Sequence, residues 1–377
     1  MSKIEFFRHN VGAEEIDSVV ETLRGIFLTT GPKTRLFEEK FAEYLGAKYC
    51  LGTTSCTVSL FLALQALGIG EGDEVLVPSM TFIATANAVV QCGATPIFVD
   101  SESESGNLDV TKIAEAVTER TKAIIPVHLY GQMVDMKTIK EIADRHNLAI
   151  VEDCAHTIEG SRDGIVPGQL SNAACFSFYA TKNITSGEGG AIVTNDKELA
   201  DKLQALRLHG MSKSAADRYT AKYQHWDMAE LGWKANMSDI QAALLLHQLE
   251  LIDERLARKE AICQRYQTAF SEAGIEFPVV LDNTKHARHL FTIWAPRGKR
   301  DDMLGLLQEK GIGVAVNFRA VHGLTYYAAR PECMPHPLPV AEDIGDRTIT
   351  IPMYARLTHQ EIERVIEAVI SSYNELS

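Results

Sequence analysis

Three short segments of the sequence combine residue types that could perform covalent chemistry on a small ligand. The first, Ser55-Cys56-Thr57, follows a strand-like run at 48–51 and opens an apolar helical pattern. Backbone N–H groups at the start of a helix have no partner within the helix, and they can hold a phosphate group. Serine and threonine are also common as simple helix caps, so this segment alone leaves both interpretations open.

The second segment, residues 151–156, places Asp153 at the end of an apolar run. A carboxylate buried at the end of a strand is costly unless it has a partner. A protonated pyridine nitrogen would be such a partner, and enzymes that use pyridoxal phosphate place an aspartate there. A capping role, or an ion pair with an arginine, would explain the same residue.

The third segment, residues 176–190, carries Lys182 among aromatic and small residues and ends in a glycine-rich turn at 187–190. A desolvated lysine has a lowered pKa and can act first as a nucleophile and then as a base. A lysine exposed at the end of a strand is the simpler alternative. Together the three segments offer a phosphate cradle, a pyridinium partner and an imine-forming amine. They predict an enzyme whose cofactor, pyridoxal 5'-phosphate, is attached to Lys182 and steered by Asp153.

The elements around these segments alternate between strand and helix patterns up to about residue 205. Strands are predicted at 48–51, 75–78, 95–99, 123–127, 148–153, 175–179 and 191–194, and helices at 13–25, 34–45, 82–90, 136–146 and 197–208. This alternation predicts an α/β domain with parallel strands and helical crossovers. In such a sheet, ligands bind beyond the carboxyl ends of the strands, where all three segments lie.

A different pattern follows, with long helical periodicity at 238–273 and mixed strands and helices at 274–377. We therefore predict a large cofactor-binding domain at 1–245, whose first residues could pack on the other domain, and a smaller α+β domain at 246–377.

Composition narrows the class of protein. The chain has 377 residues, with a net charge of -13 and 46% hydrophobic residues, which is typical of a globular protein. The acidic balance disfavours nucleic acid or an anionic membrane as the main partner. Seven cysteines without metal-type spacing favour a reduced, cytoplasmic protein with no zinc site. No signal segment or membrane-spanning run is predicted.

Five ordered motifs resemble the sugar aminotransferases of the DegT/DnrJ/EryC1/StrS family, and the similarity extends from TTGP at 29–32 to FRAVH at 318–322. The motifs are PSMTFIATANAV at 78–89, KAIIPVHLYGQ at 122–132, VEDCAHTIEG at 151–160, SFYATKNITSGEGG at 177–190 and GWKANMSDIQAA at 232–243. The resemblance implies the fold-type I aminotransferase fold, with a large, mostly parallel-sheet domain and a smaller α+β C-terminal domain. It also implies a homodimer with shared active sites.

The resemblance implies a role for each matching residue. Lys182 corresponds to the Schiff-base lysine and Asp153 to the partner of the ring nitrogen. The other matches are Phe82 and Ala155 on the two faces of the ring, His156 near its hydroxyl group, Ser177 and the Cys56-Thr57 backbone at the phosphate, and Asn236 at the phosphate of the neighbouring subunit. Cys56 departs from the small residue, usually glycine, that the family has there, so its side chain should narrow the approach to the phosphate.

The implied reaction moves an amino group from an amino acid, glutamate by expectation, to a keto sugar linked to a nucleotide. Segments 232–236, 286–291 and 318–322 most resemble the enzymes that make UDP-4-amino-4-deoxy-L-arabinose, which favours amination at C4. Lys234, Arg319 and His322 could contact the substrate or serve only as loop residues.

The sequence is also compared with four alternative functions. A 3-keto sugar aminotransferase and a non-catalytic regulator would share the fold. A dehydratase of the same family would carry histidine at position 182, and an NAD-binding enzyme would need a GxGxxG motif after its first strand. The lysine at 182 and the lack of that motif near the N-terminus disfavour the last two.

Overall fold

The computed structural model describes residues 3–211 and 225–377. Its helices are α1 (Ala13–Arg24), α2 (Pro32–Leu45), α3 (Cys56–Ala66), α4 (Ile83–Gln91), α5 (Ile113–Ala116), α6 (Met136–His146), α7 (Lys197–Leu206), α8 (Asp239–Glu250), α9 (Ile252–Glu272), α10 (Arg300–Glu309), α11 (Thr325–Ala328), α12 (Pro339–Arg347) and α13 (His359–Leu376). Its strands are β1 (Tyr49–Thr53), β2 (Glu74–Pro78), β3 (Thr95–Val99), β4 (Thr121–Ile124), β5 (Ala149–Asp153), β6 (Ser161–Arg162), β7 (Ala173–Ser177), β8 (Gly190–Thr194), β9 (Thr284–Lys285), β10 (Phe291–Trp294) and β11 (Thr348–Ile351).

A seven-stranded sheet forms the centre of the molecule, with the strand order β1-β8-β7-β5-β4-β2-β3. Strands β7, β5, β4, β2 and β3 pair in parallel, whereas β8 is antiparallel to both of its neighbours. β2, β7 and β8 are buried along their whole length, which explains their nearly continuous apolar sequences. The predicted α/β sheet is thus present, with β8 as the one reversed strand.

Local sequence signals fix the helices that cover the sheet. The Asp135 side chain accepts a hydrogen bond from the backbone N–H of Thr138 at the start of α6, and Asn147 ends that helix in the left-handed conformation. Ile139 and Ile142 lie on its buried face. These signals explain why the predicted and observed limits of α6 coincide.

Several predicted limits differ from the observed ones, and three of the differences are instructive. β4 ends at Ile124 rather than at 127, and Pro126 just beyond it has no N–H for a strand ladder. β7 spans Ala173–Ser177 rather than 175–179. The helical pattern at 238–273 forms two helices, since the chain leaves helical geometry at Leu251.

A second hydrophobic cluster lies apart from the sheet. It joins side chains of α9, α10, α13, β10 and β11 with Ile4 near the N-terminus. Other residues of the C-terminal half, among them Val321 and Ala341, pack into the cluster beneath the sheet instead. The division of the chain at residue 245 stays a prediction. Across residues 3–211 and 225–377, no helix has the length and hydropathy needed to cross a membrane.

Candidate active site

A cavity of about 480 Å³ opens where β5 and β7 end and α3 begins. Its lining includes most of the residues singled out from the sequence, namely Cys56, Thr57, Phe82, Asp153, Ala155, His156, Ser177 and Lys182. The carboxyl ends of parallel strands meet at one edge of a sheet, and this arrangement places side chains from distant segments around one space. Asn236 is not part of this lining.

Lys182 reaches the cavity from the turn that follows β7. Its backbone N–H donates to the carbonyl oxygen of Tyr179 at 2.9 Å, which closes the turn. Burial lowers the pKa of Lys182 to about 8, although the nearby Asp153 carboxylate favours the charged amine. The neutral, nucleophilic form of the amine is therefore more abundant near pH 7 than it is for a lysine with the ordinary pKa.

Asp153 is the last residue of β5 and is only 5% exposed. Its carboxylate accepts hydrogen bonds from the Thr85 hydroxyl at 2.8 Å and from the backbone N–H of Ala155 at 3.1 Å. Burial raises the pKa of Asp153, and these two donors partly oppose that shift. Within the described residues no lysine or arginine forms an ion pair with it, so a cationic ligand atom would be a suitable partner.

His156 lies on the loop after β5, and its ring is buried. The backbone N–H of Tyr130 donates to His156 Nδ1 at 3.1 Å, which assigns the proton to Nε2. Burial holds the pKa of His156 well below its usual value, and the nearby Lys182 adds to this effect. His156 is thus a neutral ring with an Nε2–H donor available.

The start of α3 forms one end of the cavity. The Ser55 side chain accepts a hydrogen bond from the backbone N–H of Val58, so the predicted cap is present. The N–H groups of Cys56 and Thr57 have no acceptor within the helix, and they remain available to an anion together with the Ser177 hydroxyl. The predicted cap and the predicted phosphate cradle are therefore compatible.

Cys56 directs its thiol toward the carboxylate end of the cavity. Sγ lies 3.9 Å from Asp153 Oδ1 and 3.5 Å from the carbonyl oxygen of Cys175. Burial raises the pKa of the Cys56 thiol well above its usual value, so the group is a neutral weak donor. The side chain that departs from the family pattern thus contacts Asp153.

Phe82 and Ala155 both line the cavity. This position is compatible with the family resemblance, which implies that the two residues lie on opposite faces of the cofactor ring. Phe82 precedes α4 and is 53% exposed, with its ring 5.8 Å from that of Phe318. An aromatic side chain that is this exposed at the mouth of a cavity is available to stack on a bound ring.

Asn236 lies outside the cavity, beside β1, where it pairs with Thr53 in an antiparallel bridge. Its Nδ2 donates to the Thr30 hydroxyl at 2.6 Å, whereas its buried Oδ1 has no hydrogen-bond partner. Its predicted contact with a neighbouring subunit stays a prediction.

Two residues of the site were missed by the sequence reasoning. Thr85 donates to Asp153 from the first turn of α4, and a hydroxyl in an apolar helix was the only signal for it. His289 Nε2 lies 3.4 Å from Lys182 Nζ, although the two residues are 107 positions apart. Segment 286–291, which contains His289, has a family resemblance but no local pattern that indicates a contact with Lys182.

A buried trio of His128, Glu152 and Cys154 lies close together beside β5. Glu152 accepts hydrogen bonds from His128 Nε2 at 2.7 Å and from the Gly168 backbone at 2.9 Å. His128 Nδ1 accepts from the backbone N–H of Val134. These bonds already use the potential ligand atoms of His128 and Glu152, so the hydrogen bonds between these two residues and the backbone are explained as a structural network.

The donor set fits pyridoxal phosphate. A buried carboxylate without a cationic side chain suits the ring nitrogen, an amine with a lowered pKa suits the aldehyde, and free helix N–H groups suit the phosphate. The fold and this cavity define a pyridoxal-phosphate-dependent enzyme of fold type I.

Comparison with known proteins gives the family. The family model described as the DegT/DnrJ/EryC1/StrS aminotransferase family matches residues 9–370, and the chain belongs to this family. It is 43% identical over 366 residues to the spore coat polysaccharide biosynthesis protein SpsC of Bacillus subtilis, covering 95% of this chain and 94% of SpsC.

Two solved structures agree closely with the fold. The putative sugar aminotransferase Spr1654 from Streptococcus pneumoniae, in its PMP form, superposes with a TM-score of 0.93 at 29% identity, covering 99% of this chain and 100% of that one. DesV of S. venezuelae, in complex with a ketimine intermediate, has a TM-score of 0.90 at 34% identity, with 98% of both chains covered. Spr1654 is also known in a PLP form. The chain is a sugar aminotransferase, and its cofactor is pyridoxal phosphate.

Proposed function

We propose that this enzyme transfers an amino group from L-glutamate to C4 of a nucleotide-linked keto sugar, as a homodimer with shared active sites. The observation that carries the proposal is the meeting of Lys182 and Asp153 in one cavity. One supplies an amine whose pKa is about 8, and the other a buried carboxylate without a cationic side-chain partner.

Bound pyridoxal phosphate supplies an aldehyde carbon and an electron-withdrawing ring. Lys182 Nζ would be the nucleophile for that carbon, and when free it would accept and return a proton as general base and acid. The Asp153 carboxylate would hold the proton on the ring nitrogen, and His156 Nε2–H would donate to the ring hydroxyl. The Cys56 and Thr57 N–H groups and the Ser177 hydroxyl would bind the phosphate.

The C4 position and the nucleotide rest on the three segments that resemble 4-amino-arabinose enzymes. The three candidate substrate residues in these segments are Lys234, Arg319 and His322. Arg319 is exposed beside a second cavity of about 310 Å³, and Lys234 is also exposed. His322 is buried, 2.5 Å from the Ser79 hydroxyl and 3.2 Å from Glu342 Oε1. We assign His322 to loop structure and keep Arg319 and Lys234 as candidates for the nucleotide.

An exposed apolar stripe supports the homodimer. Ile16, Val20 and Leu23 are spaced along one face of α1 and are all exposed, and Ile26 beyond the helix is 77% exposed. Apolar patches of this kind mark protein interfaces. The unpartnered Asn236 Oδ1 supports a role for this residue across that interface.

We place the product in the synthesis of a polysaccharide, on the strength of the relative named for spore coat polysaccharide. All seven cysteines are free, which supports a reducing, cytoplasmic location.

Borohydride reduction tests the chemistry. We expect the reduced protein to carry the phosphopyridoxyl group on the peptide that contains Lys182, and Lys182→Ala to carry none. A protein that takes up no added pyridoxal phosphate would refute the proposal.

A panel of nucleotide-linked 4-keto and 3-keto sugars tests the substrate, with L-glutamate as donor and the amino sugar as the measured product. We expect turnover of 4-keto sugars. Turnover restricted to 3-keto sugars would replace C4 with C3.

A further inference from the structure

A row of polar contacts leads from Lys182 into the protein interior. Lys182 Nζ lies 3.4 Å from His289 Nε2, and His289 Nδ1 lies 3.3 Å from Asn183 Oδ1. Asn183 in turn contacts Glu159, which lies 3.9 Å from the buried amine of Lys259. The row joins the turn after β7 to helix α9.

The surroundings of Asn183 settle which way its amide group points. Nδ2 lies 2.9 Å and 2.8 Å from the two carboxylate oxygens of Glu159, and 2.9 Å from the carbonyl oxygen of Ala287. All three are acceptors, so the amide nitrogen must face them. The amide oxygen therefore faces His289.

This orientation fixes the tautomer of His289. An amide oxygen only accepts hydrogen bonds, so His289 Nδ1 must carry the proton that it donates to Asn183. The ring is 6% exposed, and burial holds the pKa of His289 well below its usual value. His289 is thus a neutral ring whose Nε2 lone pair points at Lys182 Nζ.

We propose that His289 is a catalytic residue that accepts a hydrogen bond from Lys182 Nζ and holds the amine in place whenever it is not bound to the cofactor. Asn183 and Glu159 are positioning residues, because they fix the tautomer that makes His289 an acceptor. The role of His289 rests on the proposed function, since it presupposes that Lys182 is the amine that reacts.

Other ionisable groups also act on this pair. Those that face Lys182 are Cys56, Asp153, His156 and His289, and those that face His289 are His156, Lys182, Lys259 and His286. An acceptor beside an amine stabilises its charged form, so loss of the His289 acceptor lowers the pKa of Lys182.

Two substitutions separate the two ring nitrogens. His289→Asn places an amide where Nδ1 lies, so it retains a donor to Asn183 and loses the acceptor beside Lys182. His289→Gln reaches farther, and its amide oxygen replaces Nε2 as an acceptor. The pair therefore distinguishes loss of the contact with Lys182 from loss of the ring.

The first measurement is the pH dependence of Lys182 acetylation in the cofactor-free protein, followed by peptide mass spectrometry. We expect the midpoint to fall by about one pH unit in His289→Asn and to return toward the wild-type value in His289→Gln. Identical profiles in all three proteins would overturn the proposal.

The second measurement is the single-turnover reaction of the cofactor-loaded protein with L-glutamate. We expect it to slow about tenfold in His289→Asn, with partial rescue in His289→Gln. Borohydride trapping on Lys182 should persist in both variants. Failure of trapping in the wild-type protein would instead refute the proposed function, while the acetylation series would still decide the contact.

Discussion

Asp153 and Lys182 lie in surroundings that oppose the charge each group carries in water. Burial raises the pKa of Asp153 and lowers that of Lys182. Each residue therefore costs the cofactor-free protein stability, and a bound cofactor that pairs with both would offset that cost. This is the pattern expected of residues that are present for chemistry rather than for folding.

Asp153→Asn tests, at the carboxylate, whether the residue lowers the stability of the cofactor-free protein and is needed for activity. We expect kcat to fall by about 10²-fold or more, since the group proposed to hold the ring proton is lost. The cofactor-free variant should be more stable by about 1 kcal/mol at neutral pH, because an amide avoids the cost of burying a charge. Because the pKa of Asp153 is raised in the folded protein, the cost of burying its charge exists only at pH values above the ordinary pKa of aspartate. The gain in stability from the substitution should therefore vanish in acid. An unchanged kcat would contradict the assignment.

Lys182→Met tests whether the amine also lowers the stability of the cofactor-free protein. The folded pKa is lowered from 10.5 to about 8, so the cost of the charged amine is fully present below that value and disappears as pH rises toward 10.5. We expect the cofactor-free variant to be more stable by about 1–2 kcal/mol at neutral pH, with the gain fading by about pH 10.

Denaturant unfolding at several pH values measures the effect of Lys182→Met. Substitution of the exposed Lys137 by methionine is the matched control and should show no such pH-dependent gain. A variant less stable than the wild type at every pH would contradict the predicted sign.

At the scale of elements, Gly190 joins three parts of the site. It opens β8, pairs with Thr53 of β1, which leads into α3, and pairs with Ser177 at the end of β7. A Cβ atom at this position would lie 2.5 Å from the carbonyl carbon of Ser55 and 2.6 Å from the backbone nitrogen of Cys56. The glycine therefore allows the strand to pack against the first turn of the helix.

Gly190→Ala should displace the start of α3 and weaken cofactor binding by about tenfold or more. The measurement is the dissociation constant for pyridoxal phosphate, obtained from absorbance titration. Gly305→Ala is the control, because nothing lies within 4 Å of its added Cβ. That substitution in α10 should leave the constant unchanged and stabilise the helix by about 1 kcal/mol. Equal affinities in the two variants would rule out the role given to Gly190.

The elements also show what the sequence could predict. Polar residues that follow apolar runs identified Asp153 and Lys182, because a parallel sheet brings its carboxyl ends together whatever the details of packing. The end of β4 and the break at Leu251 depend on single residues within otherwise continuous patterns, so periodicity extended both elements too far. His289 required knowledge of how a loop from the C-terminal half packs on the sheet, which no local pattern contains.

At the scale of the whole molecule, Asn236 is connected to the segment that follows α1, the helix with the exposed apolar side chains. Its Nδ2 donates a hydrogen bond to Thr30 in that segment. A partner that covers the apolar stripe would also approach Asn236. This geometry favours an active site completed by a second copy of the chain.

Mixing two inactive variants tests that arrangement. We expect Lys182→Ala and Asn236→Asp each to be inactive, the second because a carboxylate would repel the cofactor phosphate. If Asn236 serves the site of the other subunit, a mixed dimer contains one site with neither substitution. Unfolding and refolding the two proteins together should then restore about a quarter of the wild-type activity. If Asn236 serves its own subunit, every site in the mixture carries one substitution, and no activity returns. The measurement is glutamate-dependent amination before and after mixing, with each variant refolded alone as the control.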